Sequence, residues 1–208
     1  MEEIGLFPLG LVLLPTEQVP LHIFEPRYRE LIGETLETGL PFGIVYADDD
    51  GLRRIGTLAT VTEVVERFDD GRLNVVVEGS TRFRLVELTE GRSFATGKIE
   101  AVDDQDDPAD PDDVTRALGL FARLAELTSS DIEPPAADTP ELSFALAGRF
   151  EFSADIKQEL LDESSERVRL HRLVPPDDQT PQEYRHEHRE HYKLCKPWHT
   201  THAYSARN

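Results

Sequence analysis

The chain has 208 residues, room for one sizeable domain or two small ones sharing an interface. Apolar residues make up 38%, too many to read as disorder, and 41 acidic against 22 basic side chains leave a formal charge of −19. Such a surface repels phosphate backbones and anionic lipid, which argues against nucleic acid and membrane surfaces as partners. The sequence holds no run of about 18 apolar residues that could span a bilayer. The start, MEEIGLFPLG, is acidic where an export signal needs basic residues, and the single Cys195 has no internal disulfide partner. A cytoplasmic location is therefore expected.

In chain order, Ile4–Leu14 is a nearly continuous apolar run broken by Pro8 and Gly10, predicting one or two short buried strands. Val19–Phe24 is a further extended run. Pro26 suits the first turn of a helix, along which Tyr28, Leu31, Ile32 and Leu36 recur at helical spacing before Gly39 closes it. Phe42–Tyr46 reads as a strand ending in the Asp48–Gly51 turn, and Ile55–Phe68 as a long strand. Asp69-Asp70-Gly71-Arg72 is a hairpin signal, because aspartate and glycine tolerate the positive φ of tight strand turns. Leu73–Val77 returns as its partner, Gly79 allows a bend or bulge, and Phe83–Leu88 and Phe94–Val102 follow as further strands. The pattern predicts a curled sheet or partly closed barrel over residues 1–102.

Residues 103–113, DDQDDPADPDD, read as a solvated acidic linker. Beyond it residues 114–174 read as a three-helix half. Asp112–Leu127 carries an apolar stripe with aspartates in its first turn, where the helix dipole favours them. Thr139-Pro140 opens a second helix to about Gly148, and Ser153 caps a third bearing Ile156, Leu160, Val168 and Leu173 on one side. Composition then breaks at Pro175-Pro176. Residues 1–174 hold 36 acidic and 17 basic side chains, the whole of the −19, whereas residues 175–208 are neutral. That tail carries five of the seven histidines, with Trp198 and Cys195, and is expected to be a flexible appendage.

The segments Gly5–Ile32 (GLFPLGLVLLPTEQVPLHIFEPRYRELI), Phe42–Gly51 (FGIVYADDDG), Ile55–Leu88 (IGTLATVTEVVERFDDGRLNVVVEGSTRFRLVEL) and Ile156–Leu173 (IKQELLDESSERVRLHRL) resemble, in order, the N-terminal substrate-binding domain of Lon proteases. The resemblance implies an α+β fold, a PUA-like β pseudobarrel followed by a small helical bundle, and a role in holding polypeptide. Lon proteases continue into ATPase and serine–lysine protease domains. The resemblance stops near residue 174, so a stand-alone, non-enzymatic member is expected.

Other constellations read as structural. Gly91–Ile99 has five residues between its glycines where a phosphate loop needs four, and Ile99 where magnesium needs a hydroxyl. His22 and Glu25 form one base and one acid with no nucleophile or orienting group, so His22 is expected to be hydrogen-bonded near a strand end and Glu25 to start the first helix. Arg82 and Arg84 flank Phe83 and are expected to pair with carboxylates, an anionic ligand being the lesser reading. The aspartate runs lack the order of a calcium loop. In the tail His188, His191 and Cys195 fall at i, i+3 and i+7, a weak metal candidate that lacks the fourth ligand of a structural site; no cofactor is expected.

The expected function is recognition of unfolded or extended polypeptide as an adaptor or holdase, alongside a protease or chaperone. Apolar surface between the β half and the helical half would take the client, with Phe24, Pro26, Tyr28 and Phe83 as candidate contacts and Tyr28 expected to be exposed. The alternative is a scaffold or small-ligand module that does not recognise peptide, since a PUA-like fold does not fix function.

Overall fold

Short β-branched and apolar runs, cut by glycine and aspartate turns, form the strands of the first unit. The computed structural model describes residues 2–128 and 132–174, together with Lys193–Leu194 and Tyr204–Ser205. The chain divides into residues 1–102 with 201–208, and residues 103–200.

In the first unit the elements are β1 (Glu2–Leu9), β2 (Gln18–Ile23), α1 (Pro26–Thr38), β3 (Phe42–Asp48), β4 (Gly51–Leu52), β5 (Ile55–Arg67), β6 (Leu73–Thr89) and β7 (Thr96–Ala101). β1 runs parallel to β3 and antiparallel to β7, while β3–β5, β5–β6 and β6–β7 are antiparallel. The ring β1-β3-β5-β6-β7 therefore closes on itself. β2 is added outside it, antiparallel to the first half of β6. The expected turns form where glycine permits them: Gly71 takes φ 85° in the β5–β6 hairpin and Gly39 takes φ 71° at the end of α1.

Alternation along β1 and β3 feeds two apolar clusters on opposite faces. Phe7, Leu9, Phe42 and Ile44 join the large cluster that includes Tyr28, Leu31 and Ile32 of α1. Ile4, Leu6 and Val45 join a smaller one around Phe83, Leu85 and Ile99. Phe83 is fully buried, and two glycines make room for its ring: a Cβ at Gly43 or Gly56 would lie 2.7 or 2.8 Å from Phe83 Cζ.

The expected break at Gly79 is corrected to one continuous 17-residue strand, β6. The bulge is present, because Thr57 faces Arg82 while Ala59 faces Gly79, leaving an extra residue on β6. Gly79 itself serves close approach. Its N–H donates to Glu17 O at 2.9 Å, Thr16 N donates to its carbonyl at 2.9 Å, and a Cβ there would lie 2.2 Å from Leu14 O.

The second unit contains α2 (Pro111–Thr128), α3 (Leu142–Ala147), β8 (Phe150–Glu151), α4 (Ala154–Asp162) and α5 (Glu166–Leu173). The two-residue strand β9 (Lys193–Leu194) pairs with β8. Ala117, Phe121, Leu142, Leu146, Phe150, Leu170 and Val174 form its core. Two expectations are corrected. The second helix begins at Leu142, because Glu141 before it adopts a left-handed φ of 50°. The third is two helices broken at Glu163–Ser165, where Ser165 Oγ accepts from Val168 N at 3.1 Å and starts α5 anew.

The segment read as a solvated linker is tied down at Asp104, Gln105 and Asp107, Gln105 N donating to Ser164 O at 2.9 Å. Asp107 accepts from Ser165 Oγ at 2.6 Å, and Asp104 takes the guanidinium of Arg169, with Arg169 Nη1 donating to Asp104 Oδ1 at 2.8 Å. Arg169 is fully buried. It also reaches Ser143 Oγ at 2.9 Å, Glu163 O at 2.8 Å and Glu166 Oε2 at 2.7 Å, with its guanidinium 4.2 Å from the Phe144 ring centroid. Burial alone would lower the pKa of Arg169; its bonds to Asp104 and Glu166 outweigh burial and hold it above the ordinary value.

Candidate functional site

Phe24, Pro26 and Tyr28 lie where β2 runs into α1, whereas Phe83 lies on β6 in the smaller apolar cluster. Core residues Val19, Leu21 and Ile23 alternate along β2 with Gln18, Pro20 and His22, which lie on the other face. On that second face a polar ladder fixes the register of β2. Gln18 Nε2 donates to Glu78 Oε2 at 2.5 Å, His22 Nδ1 lies 2.6 Å from Asn74 Oδ1, and Asn74 Nδ2 donates to Glu66 Oε2 at 3.0 Å. Because the Asn74 amide nitrogen is committed to Glu66, its oxygen faces the ring and His22 Nδ1 carries the proton.

Three rings meet there. His22 stacks on Phe24 with centroids 5.9 Å apart, and Phe68 meets His22 edge-on at 6.0 Å. The Arg72 guanidinium lies 4.9 Å from the Phe68 centroid and forms a 2.8 Å ion pair with Asp70. The Arg72 backbone N–H first, then its guanidinium, hold the Asp70 carboxyl below its usual range. Arg29 of α1 donates to Asp70 O at 2.6 Å, fastening the helix to the hairpin tip. Phe24 is half-buried and Pro26 exposed. Glu25 stands at the N-terminus of α1 without capping it by its side chain, and pairs instead with Arg27 at 2.8 Å.

Tyr28, expected to be exposed, is 5% exposed and stacks on Phe7 with centroids 4.0 Å apart. It lies on the face of α1 that buries Leu31, Ile32 and Thr35. Its burial, together with that of Phe83, corrects the expectation that either side chain reaches a client. Burial raises the Tyr28 pKa above 10.0, opposed by the Arg27 guanidinium 4.5 Å over its ring. Below pH 10 both folded and unfolded Tyr28 are neutral; above it the unfolded phenol ionises first, so stability falls as pH rises. The stability difference between wild type and Tyr28→Phe should be flat below about pH 9 and turn against wild type above pH 10, measured by urea denaturation at stepped pH. A difference flat through pH 11 would show that Tyr28 ionises as freely folded as unfolded.

Arg82 and Arg84, expected to be alike, differ: Arg82, beside the bulge, is buried, and Arg84 is exposed. Sequence reasoning missed Phe68 and Asn74. The signal was available, because the Asp69–Arg72 hairpin sets both beside one turn. Among the described residues no three His, Cys, Asp or Glu side chains group as a metal site. His188, His191 and Cys195 lie outside the described residues. Among the described residues no helix is long and apolar enough to cross a membrane.

The model of the ATP-dependent protease La (LON) substrate-binding domain family matches residues 3–175. The chain belongs to this family. Among curated relatives, a Lon protease of Parabacteroides distasonis is 28% identical over 155 residues, covering 70% of this chain and 18% of its own length. A Lon protease of Paraburkholderia phytofirmans is 28% identical over 135 residues, covering 61% of this chain and 17% of its own. The chain thus spans under a fifth of the length of these relatives. Among solved structures, a Lon N-terminal domain protein from Xanthomonas campestris superposes with a TM-score of 0.65 at 26% identity, covering 84% of this chain and 100% of that one. The N-terminal domain of a Mycobacterium avium complex Lon protease gives 0.64 at 17% identity over 83% of this chain and 96% of its own, a likeness of fold alone. The Lon-type substrate-binding domain is accordingly α+β, as its sequence implied.

Proposed function

We propose that this Lon-type domain recognises polypeptide in unfolded or extended form, as an adaptor or holdase, and performs no catalysis itself. The observation that carries the reading is the family match over residues 3–175, since the substrate of a protease is polypeptide. The surface supports it. Phe24 and Pro26 present apolar area beside the Arg72–Phe68 pair, and the −19 charge draws basic segments and repels acidic ones. Tyr28 and Phe83 act from beneath, holding α1 and the barrel in place. A partner protease or chaperone would receive what the domain holds.

The test is affinity of the full chain for reduced, carboxymethylated lysozyme against native lysozyme. The unfolded form should bind at least about tenfold tighter, and Phe24→Ser should weaken it about tenfold, the cost of losing one aromatic anchor. Raising salt from about 0.1 to 1 M shortens the Debye length from about 10 to 3 Å, which should remove the charge-driven part and leave the apolar part. Equal affinity for both forms would sink the recognition reading and favour a scaffold role.

A further inference from the structure

The strand that leads into Phe24 and Pro26 is also the strand the barrel leaves outside its closed ring. β1, β3, β5, β6 and β7 each have two strand neighbours in the closed ring, whereas β2 has β6 on one side only. Which backbone groups of β2 face outward follows from one bond. Gly79 N donates to Glu17 O, so residue 17 pairs inward toward β6, and with the two-residue period Val19, Leu21 and Ile23 pair inward too. Gln18, Pro20 and His22 turn their backbone groups away from β6. Pro20 agrees with this assignment: proline has no N–H to give, and a strand tolerates it where its nitrogen faces off the sheet. The outer edge thus offers the N–H groups of Gln18 and His22 and the carbonyls of Gln18, Pro20 and His22.

An unpaired edge is a template for another strand, and proteins normally cover or blunt it. Among the described residues this one is covered at a single place, by the chain itself. The two-residue strand β10 (Tyr204–Ser205) runs parallel to β2, with Tyr204 opposite Leu21 and Ser205 opposite His22. The edge therefore accepts an extended segment in the parallel sense. Nothing about that pairing depends on a special side-chain sequence, because backbone groups make it.

We propose that the outer edge of β2 is where an extended polypeptide is taken up as an added parallel strand, with Tyr204–Ser205 a competitor in cis. This inference rests on the recognition reading and names its mode. Backbone pairing gives sequence-tolerant affinity. Side chains of the added strand pass Gln18, Pro20 and His22, near the half-buried Phe24, which adds apolar selectivity.

Three measurements on the full chain test it. Hydrogen exchange at the Gln18 amide, which lies beyond the reach of Tyr204–Ser205, should slow about tenfold when reduced, carboxymethylated lysozyme binds. The variant Tyr204→Pro, which removes the amide that the register turns toward β2, should bind that client several-fold tighter than wild type. A synthetic peptide of residues 201–208 should compete with the client. N-methylating its alternate amides in one parity should weaken competition about tenfold, while the other parity competes unchanged, because only one set of amides faces β2. Equal competition by both methylated peptides, with unfolded lysozyme still bound, would overturn the edge and leave recognition standing. Failure to bind unfolded lysozyme at all would overturn the recognition reading itself.

Discussion

Replacing Arg169 by methionine should lower the stability of the helical unit by about 3–5 kcal/mol, the usual result of removing one partner from a buried ionic cluster. Methionine keeps much of the stem and its packing on Phe144, so the loss reports charge more than volume. What remains would be two carboxylates without their cation, Asp104 and Glu166, whose side chains are only 22% and 15% exposed. Ser143 would keep Glu166, donating to it through N at 2.8 Å and Oγ at 2.6 Å, but the buried guanidinium that bridges the two carboxylates would be gone. In urea the shift should be about 2 M in midpoint for a slope near 2 kcal/mol per M. Two controls separate the causes. Arg172→Met, which removes a solvent-facing pair with Glu163 at 3.3 Å, should cost under about 0.5 kcal/mol. Adding Asp104→Asn and Glu166→Gln to Arg169→Met should restore part of the loss, because no unpaired charge is then buried. A loss below about 1 kcal/mol for Arg169→Met alone would mean that packing on Phe144, not charge, joins α3 to α5.

That cluster was not legible in the sequence. Arg169 sits in a run where arginines alternate with apolar residues, Arg167-Val168-Arg169-Leu170, and its partners Asp104 and Glu166 look like any other acid of a −19 chain. Asp104 lies 65 residues away, in a segment whose composition argues for solvent. What composition cannot tell is which one of several adjacent aspartates turns inward. The barrel strands and α1 were legible because each depends on local rules: alternation, a proline at a first turn, glycine where φ is positive. The misread positions share a different cause. Gly79 was read as a break by its own conformational freedom, yet it is demanded by the carbonyl of Leu14, far away in sequence. Phe83 was offered as a contact because it lies in a segment that carries the family resemblance; the space that buries it is made by Gly43 and Gly56 on two other strands. Tyr28 already lay in the helical repeat with Leu31 and Ile32, and that repeat proved the better guide than the polarity of its hydroxyl. Of the candidate contacts, Phe24 and Pro26 are the ones the fold leaves accessible.

The approach of Leu14 to Gly79 makes the second large effect. Gly79→Ala should destabilise the barrel unit by about 3 kcal/mol, at the upper end for overpacking, because the obstacle is backbone. The added Cβ would meet Leu14 O at 2.2 Å and Leu14 C at 3.1 Å, backbone atoms that cannot rotate aside as a flexible side chain would. Relief requires moving the segment from Leu13 to Glu17, which carries the Thr16 N to Gly79 O bond and the Gly79 N to Glu17 O bond. Those bonds set the inward parity of β2, so displacing them loosens the strand at its first residues. The expected result is therefore double: a lower denaturation midpoint and weaker binding of reduced, carboxymethylated lysozyme at temperatures where the variant is still folded. Gly33→Ala supplies the contrast. Gly33 lies inside α1 with nothing within 4 Å of an added Cβ, so the same substitution there should raise stability by roughly 1 kcal/mol through helix propensity and leave binding unchanged. Gly79→Ala folding as stably as wild type would show that the Leu13–Glu17 segment moves aside without cost, and that β2 holds its register through the Gln18–Glu78 and His22–Asn74 ladder alone.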